Sequence, residues 1–208
     1  MIPLSTRAHH APGKAALRAM FAARKRVFID LLKWDLPVLG GQYELDQFDT
    51  PDAHYLILLD GTTGRHRASA RLLPTVKAHL LADHYSHLCD DGVPRGPTVR
   101  EISRFCLDRD QDAAARRAAR NQLVTALVDH ALREGITDFT GVADEAWLVQ
   151  VLQFGWQCET LGPTIVDRGA RLGALRIRID AHTIEGLQRT GVHAPLSLHL
   201  AENAEDVI

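Results

Sequence analysis

The 208-residue chain is poor in cysteine, methionine and aromatic residues, with three, two and 6% respectively. Cys89, Cys106 and Cys158 are odd in number and widely spaced, with no C-x-x-C pair, which excludes a disulfide-stapled scaffold and a cysteine-rich zinc module. Reduced thiols and a cytoplasmic location are therefore expected. No apolar run approaches the roughly 18 to 20 residues of a membrane span, and MIPLSTRAHHAPGKAA contains no stretch of signal-peptide length. Charge of one sign is not in excess either: 24 Lys and Arg face 26 Asp and Glu, a formal −2. No global positive field exists to hold nucleic acid. Internal repeats, low-complexity tracts and long Pro/Gly/Ser linkers are also missing, so residues 1–208 read as a single domain, with a core over about 14–182 and a flexible tail over about 200–208.

What is present is an ordinary globular composition, 46% hydrophobic and 24% charged. A chain of this length buries roughly 70% of its unfolded surface. Residues 14–32 carry Leu17, Met20, Phe21, Val27, Phe28, Leu31 and Leu32 at helical spacings. The following WDLPVLGGQYELDQFDTPDA reads as a long structured loop that keeps Trp34, Tyr43 and Phe48. Strands are expected at 54–59 and 65–73 around a GTTG turn, and at 98–107. A long helix from Gln111 to Glu134 should end at Gly135, followed by a strand at 136–143, a helix at 145–154 stopped by Gly155, and strands in WQCETLG and ALRIRID. The pattern predicts an α/β (α+β) fold, a mixed and mostly antiparallel central sheet with helices on both faces.

Polar and aromatic residues with no evident packing role gather in four places: Arg24, Phe28 and Trp34; Asp46 and Asp49 in E-L-D-Q-F-D; Arg71 in A-R-L-L-P-T; and Glu101 and Arg104 in E-I-S-R-F. The series R-x-x-x-F, W, D-Q-F-D, R-L-L-P-T and E-x-S-R-F, in this order over about residues 20–160, resembles the acyl-homoserine-lactone synthases, the bacterial autoinducer synthase family. That resemblance implies the fold of the GNAT-type N-acetyltransferases. It also implies acyl transfer from acyl-ACP or acyl-CoA to the amine of S-adenosylmethionine, followed by lactonisation and loss of methylthioadenosine. S-adenosylmethionine is then a cosubstrate, and no cofactor, metal or covalent enzyme intermediate is required.

By the same resemblance Glu101 is the general base, and Arg71 and Arg104 pair with the two Asp residues and shape the site. Arg24, Phe28, Trp34, Asp46, Asp49, Arg71 and Arg104 form the S-adenosylmethionine site. The inventory suits that ligand: carboxylates for its cations, aromatic faces for its sulfonium or adenine, and an arginine fork for its carboxylate. The amine must be neutral to attack, and a free α-amine has a pKa of about 7.7 to 8.0, so a base is needed within hydrogen-bond or one-water reach. Ser103, Phe105, Cys106, Gly141, Trp147, Leu148 and Val151 are the candidate contacts of the acyl and pantetheine arm, with backbone near Ser103–Cys106 able to donate to the thioester oxygen.

Strand alternation puts Glu101, Ser103 and Phe105 on one face and Arg104 on the other. Either Arg104 serves a different cluster or a bulge breaks the alternation. Plainer readings compete at each position: Asp46 and Asp49 as turn residues, Phe28 and Trp34 as core, Glu101 as a structural ion pair, Cys106 as a packed thiol, and Arg71 and Arg104 as structural partners. His79, His84 and His87 lack the companions of a zinc site. Arg116, Arg117 and Arg120 form a ridge that is either a solvated face or a contact for a phosphate or an acidic carrier.

The helix before Gly155 lacks the Lys or Arg with which resembling enzymes dock carrier protein, which keeps acyl-CoA in play as donor. At Gly141, where 3-oxo producers tend to carry Thr or Ser, there is no hydroxyl, so chains without a 3-oxo group are expected. Two other functions compete. One is a GNAT N-acetyltransferase using acetyl-CoA, against which stands the glycine-free link C-L-D-R-D-Q-D-A-A-A where a pyrophosphate loop belongs. The other is a non-catalytic protein that binds an acyl carrier or S-adenosylmethionine.

Overall fold

The computed structural model describes residues 10–167, 169–195 and 199–202. Helix α1 (His10–Arg24) runs into a π-helical stretch over Lys25–Leu31, so the single helix expected over 14–32 changes its winding after Arg24. The wider turn inserts an extra residue per turn, which the 3.6-residue hydrophobic period does not announce. The aromatic loop holds a small hairpin of β1 (Val38–Leu39) and β2 (Tyr43–Glu44). Then come β3 (His54–Leu59), β4 (His66–Pro74), α2 (Leu80–His84), β5 (Val99–Leu107) and α3 (Ala113–Glu134). The chain continues through β6 (Asp138–Asp144), α4 (Glu145–Val151), β7 (Gln157–Thr160), β8 (Ile165–Asp167), β9 (Ala170–Arg178), α5 (Thr183–Arg189) and β10 (His199–Glu202).

The larger strands and helices fall where the pattern puts them. α3 starts under an Asp112 carboxylate that accepts from the Ala115 N–H at 2.8 Å. It ends with Gly135 at φ +66, where the Ile136 N–H closes back onto Ala131 at 2.9 Å. β8, α5 and β10 have no counterpart in the expected elements; each is short, and two fall among polar residues. Residues 200–202, counted with the tail, belong to β10, whereas 203–208 lie outside the described residues.

Two compact units share these elements. The first takes the chain up to Arg71, Arg104–Leu123 and the residues from Pro195; the second takes Leu72–Ser103 and Val124–Ala194. The crossings fall inside β4, β5 and α3, where no linker marks them. In the first unit β10 lies antiparallel on β3, followed by β4 and the end of β5. In the second, β5 pairs parallel with β6 from Val99↔Asp138 to Glu101↔Thr140, β6 pairs antiparallel with β9, and β9 also takes β7 and β8 antiparallel. The sheet is thus mixed and mostly antiparallel, as expected. Consecutive burial along β3 and β4, including Tyr55, Leu56, Ile57, Leu58, Leu72 and Leu73, shows that both faces of these strands are covered.

Candidate functional site

In the first unit, three arginines and three carboxylates from four separated segments are interleaved in the interior. Arg24, in the last turn of α1, donates through Nε to Glu44 and through both terminal nitrogens to the two oxygens of Asp49, each at 2.8 Å. Arg71 of β4 reaches the two oxygens of Asp46 at 2.6 and 3.1 Å, and Asp49 at 2.8 Å. Arg104 of β5 donates to Glu44 at 3.0 and 3.2 Å and to Asp46 at 2.7 Å. Each oxygen of Glu44, Asp46 and Asp49 accepts at least one of these bonds. The Tyr55 hydroxyl adds a donation to Asp49 at 2.8 Å. The loop also braces itself, since the Asp46 N–H donates to Asp49 at 2.8 Å and the Phe48 N–H to Asp46 at 2.9 Å.

The electrostatics follow from burial and pairing. Burial alone opposes charge on Asp46 and Asp49, but Arg71 and Arg104 around the first, and Arg24 and Arg71 around the second, outweigh it and hold both below the usual carboxylate range. Burial likewise works against Arg24 and Arg71, and the facing carboxylates more than reverse it, holding both guanidinium pKa values above the ordinary one. Burial, and then the Asp49 charge, push the Tyr55 phenol up, so it stays a neutral donor. Asp46, Asp49, Arg24 and Arg71 are therefore ionised near neutral pH, with opposite charges facing one another.

Aromatic rings form one wall of the cluster. Arg24 stands over Phe21 at 5.0 Å, Arg71 near Phe48 at 5.8 Å and Arg104 over Phe28 at 5.6 Å. Phe28 stacks on Trp34 with centroids 5.0 Å apart and planes 15° apart. Trp34 is 46% exposed, so this ladder runs from buried Glu44 through Arg104 and Phe28 to an open indole face.

Arg104 decides between the two alternatives left by strand alternation. Its φ is +51, a left-handed conformation for a residue with a Cβ, and the burial alternation of β5 slips by one residue between Ser103 and Cys106. A bulge-like break thus turns the Arg104 side chain toward Glu44 and Asp46.

The structure brings Arg24, Asp46, Asp49, Arg71 and Arg104 together, with Phe28 and Trp34 beside them. It adds Glu44, which the sequence reading passed over although it opens E-L-D-Q-F-D. The available signal was its place two residues before Asp46 in an extended segment, which puts both carboxylates on one face. Cys106 is 0% exposed and packs with Ala23 and Phe28, and burial pushes its thiol up to about 12, so its side chain is an unreactive part of the core.

The remaining candidates stand in the second unit, apart from Phe105. Glu101 is 0% exposed and accepts from the Leu80 and Leu81 backbone N–H groups at 3.2 and 2.6 Å. By register Thr140 of β6 is opposite Glu101, and its buried hydroxyl has no hydrogen-bond partner among the described residues. A Cβ on Gly141 would stand 3.0 Å from the Ile102 carbonyl oxygen. Leu148 and Val151 are buried on α4, Trp147 meets Phe154 edge-on at 5.7 Å, and Leu148 fills the space in which a Cβ on Gly173 would meet it at 2.7 Å. Leu81, Leu88 and Ala174 make a neighbouring apolar cluster, with Tyr85, Val142, Leu161, Ile165 and Leu172 packed against it.

The architecture is that of the acyltransferases: a putative N-acetyltransferase from Lactobacillus plantarum shares the fold with a TM-score of 0.55 at 17% identity, over 82% of this chain and 94% of its own. The sequence profile of the autoinducer synthases matches residues 9–187. An acyl-homoserine-lactone synthase of Rhizobium etli is 34% identical over 69% of this chain and 68% of its own length, and one of Ralstonia nicotianae 32% identical over 79% and 82%. Among solved structures, the CoA-dependent acyl-homoserine lactone synthase BjaI, with SAM and isopentyl-CoA, has a TM-score of 0.77 at 25% identity over 92% of this chain and 89% of its own. TofI, in a ternary complex with an inhibitor and MTA, has a TM-score of 0.70 at 31% identity over 83% and 89%. The chain belongs to the autoinducer synthase family, and its activity is that of an acyl-homoserine-lactone synthase, an acyltransferase.

Proposed function

We propose that the acceptor is S-adenosylmethionine, the donor an acyl-CoA, and the product an acyl-homoserine lactone without a 3-oxo group. The observation that carries the acceptor is the interleaved cluster, which assembles all four arginine- and carboxylate-bearing segments of the family-like series around an open Phe28–Trp34 stack. In this reading Trp34, backed by Phe28, faces the adenine or sulfonium, while Asp46 and Arg104, at the rim of the cluster with side chains 6% exposed, meet the polar groups of the methionyl end. Arg24, Asp49 and Arg71 are deeper and hold the rim in place.

Glu101 takes a proton from the ammonium of the acceptor. The neutral amine attacks the thioester carbonyl, an amide C–N bond forms, the C–S bond breaks, and the second amine proton leaves with the carrier thiol. The methionyl carboxylate then closes on its own γ-carbon and expels methylthioadenosine. Ser103, Phe105, Gly141, Trp147, Leu148 and Val151 are assigned to the donor side.

Acyl-CoA is favoured over acyl-ACP because α4 itself carries no Lys or Arg with which to dock a carrier protein, and the cation beside it, Arg171, is paired with Glu145 at 2.8 Å. BjaI is itself CoA-dependent. A cytoplasmic location fits three free thiols. The test is methylthioadenosine release by the purified protein with S-adenosylmethionine and parallel acyl-CoA and acyl-ACP series. Release with medium-chain acyl-CoA supports the reading. Release with acyl-ACP alone replaces the donor, and acetylation of another amine without methylthioadenosine overturns the acceptor.

A further inference from the structure

The two backbone N–H groups that hold Glu101, those of Leu80 and Leu81, are placed by the residue just before them. His79 is 0% exposed with an extended backbone (φ −153°, ψ 157°), and its Nδ1 lies 2.8 Å from the Lys77 carbonyl oxygen. A carbonyl oxygen only accepts, so Nδ1 carries the proton and Nε2 the lone pair. That Nε2 is buried with no hydrogen-bond partner among the described residues. Burial, and less so the Arg95 charge, hold the ring below the ordinary histidine pKa, which keeps it neutral.

A neutral imidazole with an orphaned nitrogen is a poor choice for packing, because leucine fills such a space without the cost of an unpaired acceptor. What histidine does and leucine does not is donate from Nδ1. The accepting Lys77 carbonyl is tied a second time by Arg95, whose Nη2 donates to it at 3.2 Å while its Nε donates to the Thr75 carbonyl at 2.9 Å. Thr75 Oγ1 lies 3.1 Å from the carbonyl oxygen of Val99, the first residue of β5, two positions before Glu101. The contacts close a ring: Glu101, Val99, Thr75, Lys77, His79, the Leu80 and Leu81 amides, and Glu101 again.

We propose that His79 is a positioning residue for acyl transfer: its Nδ1–H, through Lys77, fixes the Leu80 and Leu81 amides that aim the Glu101 carboxylate. The inference rests on the reading of Glu101 as general base. Asparagine places an N–H where the histidine Nδ1–H stands and has nothing at Nε2, so H79L, H79N, E101Q and H79L/E101Q separate the contributions.

H79L is expected to lower kcat by about 10- to 100-fold with the KM for S-adenosylmethionine within about twofold, and H79N to restore most of it. H79L/E101Q should be no slower than E101Q, since His79 acts through that carboxylate. Hydrogen exchange read at the Leu80 and Leu81 amides should be fast in H79L and slow in H79N, and H79N alone carries this readout if H79L does not fold. Wild-type kcat in H79L, a loss that H79N does not restore, losses that multiply in the double variant, or fast exchange in H79N each overturn the proposal while Glu101 keeps its role. Wild-type turnover in E101Q removes the base, and the positioning role with it.

Discussion

Arg104 reaches Glu44 and Asp46, at 3.0 and 2.7 Å, from a left-handed backbone position within β5. That conformation costs a residue with a Cβ roughly 1–2 kcal/mol, and the two charge-assisted bonds offset it. R104G removes the backbone cost but leaves two carboxylates short of a donor, and R104K keeps the charge without the fork. Both should lower kcat/KM for S-adenosylmethionine by about 100-fold or more, measured as methylthioadenosine release. Wild-type kinetics in R104K would show that the bidentate geometry is dispensable.

Glu44 supports two guanidinium groups from complete burial. Removing it leaves Arg24 and Arg104 partly unpaired in the interior. E44L should therefore destabilise the fold by about 3–5 kcal/mol in urea unfolding. A change below about 1 kcal/mol would mean that water or another carboxylate replaces it.

Asp46 and Asp49 have folded pKa values below their unfolded value near 3.9. In the acid range the unfolded chain binds these protons first, so the stability they contribute is present above about pH 4 and is lost as pH falls toward the folded values. Urea midpoints should hold from pH 7 to about pH 5 and decline below pH 4, with a shallower decline in D49N. An equal decline in D49N would assign the acid sensitivity to other groups.

Glu101→Gln keeps the size and much of the hydrogen bonding of the side chain but cannot take the amine proton. Turnover should fall by about 10² to 10⁴. Raising the pH, which deprotonates the amine in solution, should recover part of the loss. A variant as fast as wild type would leave Glu101 a structural role, which includes its bonds to Leu80 and Leu81.

Gly141 leaves a Cβ just 3.0 Å from the Ile102 carbonyl, so a hydroxymethyl group there presses on β5. G141S should lower activity without creating a preference for 3-oxo donors, read by mass spectrometry of the lactones. Leu148→Trp should shift the products toward shorter chains. An unchanged profile would remove Leu148 from the acyl site.

Much of this protein is legible locally. The period of α3, the strand signals of β3–β5 and the Gly135 stop follow from nearest-neighbour sterics and burial pattern, which a linear chain displays, whereas the R-x-x-x-F, D-Q-F-D, R-L-L-P-T and E-x-S-R-F segments spoke through their resemblance to the autoinducer synthases. The same segments identify Arg24, Asp46, Asp49, Arg71 and Arg104 as members of one site. The tertiary structure decided the pairing: that Asp49 belongs to Arg24 and Arg71, that Glu44 bridges Arg24 and Arg104, that Cys106 is core, and that His79 stands behind the amides holding Glu101. The ion pairs among these contacts join residues up to 60 positions apart. They depend on a π-helical turn and one left-handed residue, neither of which has a hydrophobic period. The family resemblance of the sequence named most of the participants, and long-range geometry in a low-dielectric interior determined which charge met which.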